Sequence, residues 1–254
     1  MNLQQSKQVF EMPHLLTYYE CDDTGHPSLS MVLSMMSMVS DAHSSFLGMD
    51  TATIQATGGG WVITGYEGEF SPKQPTFGDR VILGTRAVSY NRFFALREFW
   101  MTDPNHQVRY AHFHAIFVFM NLKKRRLMSI PQKLITRFDS PLKNQVPRLK
   151  RIETITTEHS HEQTYRVRYF DIDVNHHVNN ARYFDWLLDP LGGQFLRTHQ
   201  LVRMVIKYQR EVRENSMVTS RFQVIRAADR LTSRHEIVVA GQKCTIAEFQ
   251  WINR

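Results

Sequence analysis

An order of elements that occurs twice is the strongest constraint on what this 254-residue chain can fold into. Asp22-x-x-x-His26 follows an apolar and aromatic run (Leu15, Leu16, Tyr18, Tyr19). Asp173-x-x-x-His177 follows Tyr165, Val167 and Tyr169, an offset of 151. Each pair leads into one long apolar segment. The first covers 28–39, with Ser28 placed to cap it. The second runs from 179 to about 188, stopped by Pro190 and Gly192-Gly193. Tyr66-x-x-Glu69-Phe70 then returns as Tyr208-x-x-Glu211-Val212, an offset of 142. Alternating aromatic-rich runs at 81–90, 93–102 and 107–122 match runs at 218–226, 231–239 and 243–252. Both sets close alike, as Ala115-x-Phe117-x-Phe119-Met120 and Ala247-x-Phe249-x-Trp251-Ile252, an offset of 132. Ordered self-similarity of this kind marks a structural repeat. The shrinking offset gives the first copy the longer loops.

Each half therefore reads as a strand, one helix, then four or five antiparallel strands. The first helix is apolar on most sides (Leu29, Met31, Val32, Leu33, Met35, Met36, Met38, Val39), with serines between. A helix apolar all round is buried, not laid on a surface. The expected fold is α+β: a tandem (double) hotdog, in which each long helix is wrapped by a curved antiparallel sheet. The expected boundaries are 1–122 for the first unit, 123–160 for a charged, proline-bearing linker (Pro131, Pro141, Pro147) and 161–254 for the second.

Composition narrows the partners. No run of about 18 apolar residues exists, so no membrane span is expected. The opening residues 1–7 are polar, with no secretory pattern. The two cysteines, Cys21 and Cys244, form no disulfide framework or zinc pattern, and a reducing cytoplasm is the default. A net charge of +7 and a pI near 9.5 point to an acidic partner (nucleic acid, anionic membrane or acidic protein), or merely aid solubility.

The chemistry concentrates in the run 168–183. Asp171, Asp173, Asn175, His176 and His177 fall within seven residues, just before a helix-like segment. A carboxylate, a carboxamide and an imidazole there can orient a carbonyl and a water, beside the unpaired N–H groups of a helix start. The alternative is an Asx-rich helix cap. Successive side chains point apart, so His176 is assigned to the surface or a supporting position. The ligand types in this run match no common zinc spacing, and neither a metal nor a cofactor is expected.

Asp171-Ile-Asp-Val-Asn-His-His-Val-Asn-Asn180 resembles the signature of acyl-acyl carrier protein thioesterases of the plant and bacterial type. Tyr208-Gln-Arg-Glu-Val212, Pro75-Thr-Phe-Gly-Asp-Arg-Val81 and Met120-Asn-Leu-Lys-Lys-Arg-Arg-Leu127 are similar to further segments of that family. The likeness runs from about residue 12 to 252, and the absence of a plastid-type leader favours a bacterial form. It implies Asp173, Asn175, His177 and Glu211 as the catalytic set. Plant members often carry a cysteine after the glutamate; Val212 stands there, so no cysteine nucleophile is expected at that position.

On this resemblance the expected activity is hydrolysis of fatty acyl-acyl carrier protein to free fatty acid and holo-carrier, ending chain elongation. An acyl-coenzyme A thioesterase and a non-catalytic acyl-thioester-binding protein remain alternatives. Glu211 with His177 would deprotonate water, Asn175 and N–H groups at 178–180 would hold the thioester oxygen, and Asp173 would orient a neighbour. The first half, with Asp22, His26 and Glu69 but no asparagine at 24, would keep a wall and lose chemistry. Met31, Met35, Met38 and Trp61 would line the acyl tunnel, or be plain core. Lys123, Lys124, Arg125 and Arg126, with the basic stretch 148–151, would dock the acidic carrier protein, or be a solvated linker. A homodimer is compatible with this reading, and nucleic acid is not an expected partner.

Overall fold

The computed structural model describes residues 3–156, 160–174, 177–227 and 230–254. The first half comprises β1 (Val9–Leu15), α1 (Leu29–Phe46), α2 (Thr51–Gln55), β2 (Gly59–Phe70), β3 (Arg80–Tyr90), β4 (Phe94–Thr102), β5 (Arg109–Asn121) and the short β6 (Arg126–Leu127). After α3 (Gln132–Phe138) the second half comprises β7 (His161–Arg166), α4 (Arg182–Leu188), α5 (Gly193–Thr198), β8 (His199–Tyr208), β9 (Met217–Ala227), β10 (Arg230–Val239) and β11 (Gln242–Asn253).

Helix α1 begins where expected, with the Ser28 hydroxyl accepting from the Met31 N–H at 3.4 Å. It runs seven residues past the expected end at 39. The polar stretch beyond Val39 reads as an exit, but Ser44 donates its hydroxyl to the Ser40 carbonyl and His43 is buried, so the helix continues. Its apolar faces (Val32, Leu33, Met35, Met36, Val39) are buried in one core with Phe99 and Phe113 of the first half and Phe184 and Phe249 of the second. Each such fully buried side chain contributes roughly 1.5–3 kcal/mol of transfer free energy.

In the second half the expected helix is shorter. Asn179 and Asn180 lie ahead of α4, and the Asn179 side chain accepts from the Ala181 N–H at 2.9 Å. Helix α4 ends at Leu188, as expected ahead of Pro190 and Gly192, and Gly193 then opens the further short helix α5. The connecting stretch also carries regular structure: α3 buries Leu134 and Ile135 in a small cluster with Met49, Phe119 and Ile130.

All strands belong to one antiparallel sheet, ordered β1-β3-β4-β5-β2-β8-β11-β10-β9-β7, with β6 on β5. The halves meet where β2 pairs with β8. Gly65 faces Lys207, and their spacing of 142 equals that between Tyr66 and Tyr208. The local two-fold axis relating the halves therefore passes through that pair. The Tyr66 and Tyr208 rings meet edge-on across it, centroids 6.4 Å apart. A Cβ on residue 65 would lie 2.3 Å from the Ile206 carbonyl oxygen, so only glycine permits this approach. Among the described residues, no helix is long and apolar enough to cross a membrane.

Candidate active site

Both halves build the same polar loop after their first strand. In the first, a helical turn at 18–20 ends on Glu20, whose carboxylate accepts the Thr17 N–H and hydroxyl, both at 2.7 Å. The Asp22 N–H then donates to the His26 carbonyl at 2.9 Å, and the Ser28 N–H to the Glu20 carbonyl. In the second, Asp171 accepts the Arg168 backbone N–H and guanidinium, each at 2.8 Å. The Asp173 N–H donates to the His177 carbonyl at 2.8 Å, and the Asn179 N–H to the Asp171 carbonyl. Burial alone would raise the Asp171 carboxyl, but the Arg168 hydrogen bonds and charge outweigh it and hold it below the usual carboxylate range. Asp171 is thus the buried post on which the loop hangs. The Asn179 N–H, expected to face the thioester oxygen, is committed to that post.

Among the described residues, the histidine of the second loop meets a carboxylate and that of the first does not. His177 Nε2 lies 2.7 Å from Glu211 Oε1, and both side chains are partly exposed. Glu211 does not ride on a strand as expected. Strand β8 ends at Tyr208, because the Cys244 carbonyl accepts both the Gln209 and Arg210 N–H groups and turns the chain out of the sheet. Two tyrosines brace this turn. The Val212 N–H donates to the Tyr183 hydroxyl at 3.3 Å, and the Tyr208 hydroxyl donates to the Asn180 carbonyl at 3.0 Å. Burial pushes both phenols well above their ordinary values, so they stay neutral braces.

A third group enters from the first half. The tight turn between β5 and β6, where Arg125 has φ 49°, delivers its guanidinium to both partners. Nη2 is 2.6 Å from Glu211 Oε1 and 2.5 Å from His177 Nε2. The imidazole Nε2 fills one role at a time: protonated it donates to Glu211, and unprotonated it accepts from Arg125. In the sequence Arg125 reads as one of a group with Lys123, Lys124 and Arg126, and all four are exposed. Nothing local distinguishes it, since the contact spans 86 residues and crosses between halves.

The remaining expected residues fall as follows. Asp173 is half-buried in the loop; Asn175, like His176, lies outside the described residues. Met35 is buried, Met31 half-buried and packed on the core, and Met38 is 37% exposed. Trp61 packs edge-on against Phe117 and Phe119 and lines a cavity of about 60 Å³ with both Phe117 and Phe138. In the first half, His26 Nδ1 is 2.9 Å from the Pro75 carbonyl oxygen, which requires the proton on that nitrogen. Glu69 lies exposed on β2. Asp22 and His26 border a cleft of about 830 Å³ at the other end of the β2–β8 seam, with Trp186, Trp251 and Arg254. Both thiols are displaced from nucleophilic character: burial pushes Cys21 and Cys244 upward.

Glu98, His112 and His114 bring donor atoms within 4.8 Å of one another on β4 and β5. The Arg86 guanidinium also pairs with Glu98, a cation where a metal would add a second. The His112 hydrogen bond and the Arg86 charge lower the Glu98 carboxyl to about 2, as expected of an ion-paired network.

Two helix-and-sheet units joined edge to edge, with a polar cleft closed by residues of both, define a double-hotdog protein. A solved structure of a provisionally assigned oleoyl thioesterase from Lactobacillus plantarum matches it at TM-score 0.93 and 36% identity, over 96% of each chain. The 12:0-ACP thioesterase of Umbellularia californica shares the fold, at TM-score 0.85 and 21% identity, over 97% of this chain and 94% of that one. The chloroplastic palmitoyl-acyl carrier protein thioesterase of Cuphea hookeriana is 28% identical over 155 residues. That match takes in 58% of this chain but 37% of the plant protein's length. Residues 7–138 match the N-terminal domain of acyl-ACP thioesterases and residues 154–253 their C-terminal domain. The chain belongs to the acyl-ACP thioesterase family.

Proposed function

We propose that this protein hydrolyses the thioester of a fatty acyl-acyl carrier protein, releasing the free fatty acid and the holo-carrier. The observation that carries the reading is the 2.7 Å contact between His177 Nε2 and Glu211 Oε1 at the seam. Glu211, paired with His177, takes a proton from water, a step typically worth about 10²–10⁴-fold. The water oxygen bonds to the thioester carbon, the C–S bond breaks, and the carrier's thiolate leaves and is protonated. On the family resemblance, Asn175 donates its amide N–H to the carbonyl oxygen as charge develops there. Arg125 orients the His177–Glu211 pair from the opposite half. The exposed Lys123, Lys124 and Arg126 flank it on the same turn, and their positive charge supports the steering of an acidic carrier.

The first unit, 1–122, supplies the wall, and the second, 161–254, the reacting groups. The cytoplasm is the compartment that fits two free cysteines. The deciding experiment follows thiol release from acyl-carrier protein and acyl-coenzyme A of the same chain, with product analysis of the acids released in a bacterial host. Faster turnover of the carrier-protein substrate supports the proposal; equal or reversed rates favour a coenzyme A thioesterase, and no turnover of either favours a binding protein. Sedimentation of the purified chain tests the homodimer.

A further inference from the structure

The cavity beside Trp61 contains a cation without a counter-charge. Arg97 on β4 is 8% exposed, and its Nη1 donates to Thr85 Oγ1 at 3.0 Å and to His43 Nδ1 at 3.1 Å. Its guanidinium lies 5.0 Å from the centre of the Phe138 ring. His43 Nε2 is 3.1 Å from the Ser6 carbonyl, so that nitrogen carries the ring proton and Nδ1 offers the lone pair Arg97 needs. His43 is therefore neutral, and burial with the adjacent guanidinium brings its pKa down to about 4. None of these partners is an anion, and among the described residues no carboxylate pairs with Arg97. Its strand neighbour Glu98 turns to Arg86 and His112 instead.

Two further features border the same space. Ser89 also borders the cavity, is 1% exposed, and its hydroxyl oxygen has no hydrogen-bond partner. The remaining walls are largely apolar, including Trp61, Phe117, Ile135 and Phe138. A desolvated guanidinium without an anion and a buried hydroxyl without a partner are each unfavourable. One ligand group would relieve both: an oxyanion whose carbon chain suits the aromatic walls. The cavity also lies on the reacting side of the seam. Phe117 precedes Asn121 by four residues on β5, about 13 Å of strand, and the turn that follows carries Arg125 to Glu211.

We infer that this cavity is a binding site for a carboxylate on an aliphatic chain, ion-paired by Arg97 and hydrogen-bonded by Ser89. Two sources share that chemistry. One is the far-end carboxylate of an acyl group whose thioester sits at His177 and Glu211, which rests on the proposed hydrolysis. The other is a free fatty acid bound head-first, which does not.

The test titrates the full chain with hexanoate and with hexan-1-ol, read by calorimetry and by Trp61-dependent fluorescence. Hexanoate is expected to bind about tenfold or more tightly than the alcohol, and Arg97→Met to lose that margin while Arg97→Lys keeps part of it. Equal binding of acid and alcohol by the parent overturns the inference, with no variant needed. So does undiminished hexanoate binding by folded Arg97→Met. A second arm compares thioesters of equal length ending in methyl or carboxylate. An Arg97-dependent preference for the carboxylate assigns the site to the substrate's far end; hexanoate binding without that preference assigns it to the free acid. Because the titration needs no turnover, an inactive protein that binds hexanoate refutes only the hydrolase reading.

Discussion

Arg125 Nη2 and Glu211 Oε1 sit 2.6 Å apart, although the two residues belong to different halves of the chain. The carboxylate thus faces a cation that its own half does not supply. The His177–Glu211 pair is held from two directions: the Tyr183 and Tyr208 braces behind, and Arg125 in front.

Glu211→Gln and His177→Ala should each lower kcat by about 10²–10⁴-fold with little change in melting temperature, because both side chains are partly exposed. Thiol release with thermal melts of the same preparations checks this. Near-full turnover in Glu211→Gln would remove it as the base.

Arg125→Met should separate from its basic neighbours. Losing the front contact lets the His177–Glu211 pair drift, and kcat should fall about ten- to hundredfold on either carrier. Neutralising Lys123, Lys124 and Arg126 together should instead raise KM for the carrier-protein substrate, leave kcat alone and flatten the dependence on salt. Steady-state kinetics at two ionic strengths distinguishes them.

Gly65→Ala should weaken the seam. The added methyl meets the Ile206 backbone oxygen at 2.3 Å, and backbone cannot swing aside as a side chain can. A loss of about 1–3 kcal/mol is expected by denaturant titration. Turnover should fall with it, since Arg125 and Glu211 are aligned through this junction.

His235 makes stability depend on pH. It is 1% exposed, stacked on Phe222 and edge-on to Phe249, and burial depresses its pKa from 6.5 to about 3. The folded chain keeps it neutral while the unfolded chain protonates it below about 6.5. Its contribution is therefore complete above pH 6.5 and is lost as pH falls toward 3, by about 1.4 kcal/mol per unit. His43 acts with the same sign, down to about 4. Urea unfolding between pH 6 and 4 should show this slope, and His235→Phe should remove one histidine's share.

The repeat was legible because its marks are local. Paired Asp and His, a capping serine and alternating aromatics sit in stretches that set their own geometry, and the structure places them in matching elements. The same locality fails at three residues. Glu211 reads as a strand position, but the Cys244 carbonyl, more than thirty residues on, draws the chain out of the sheet. Arg125 reads as one of four surface cations because its partners are reached only through a hairpin and a seam. No local mark singles out Arg97, beside Glu98 in an aromatic run, and the pleat sends the two to opposite faces.

The axis through Gly65 and Lys207 has an evolutionary side. In a dimer of separate identical chains, every substitution appears twice, and a residue that suits one cleft is imposed on the other. Joining the copies makes their association intramolecular, at an effective concentration set by the tether, and frees each cleft to change alone. The two ends differ in just this way: His26 is bound to the Pro75 carbonyl at one, and His177 lies against Glu211 at the other. The backbone is symmetric at the seam, and the side chains at its two ends are not.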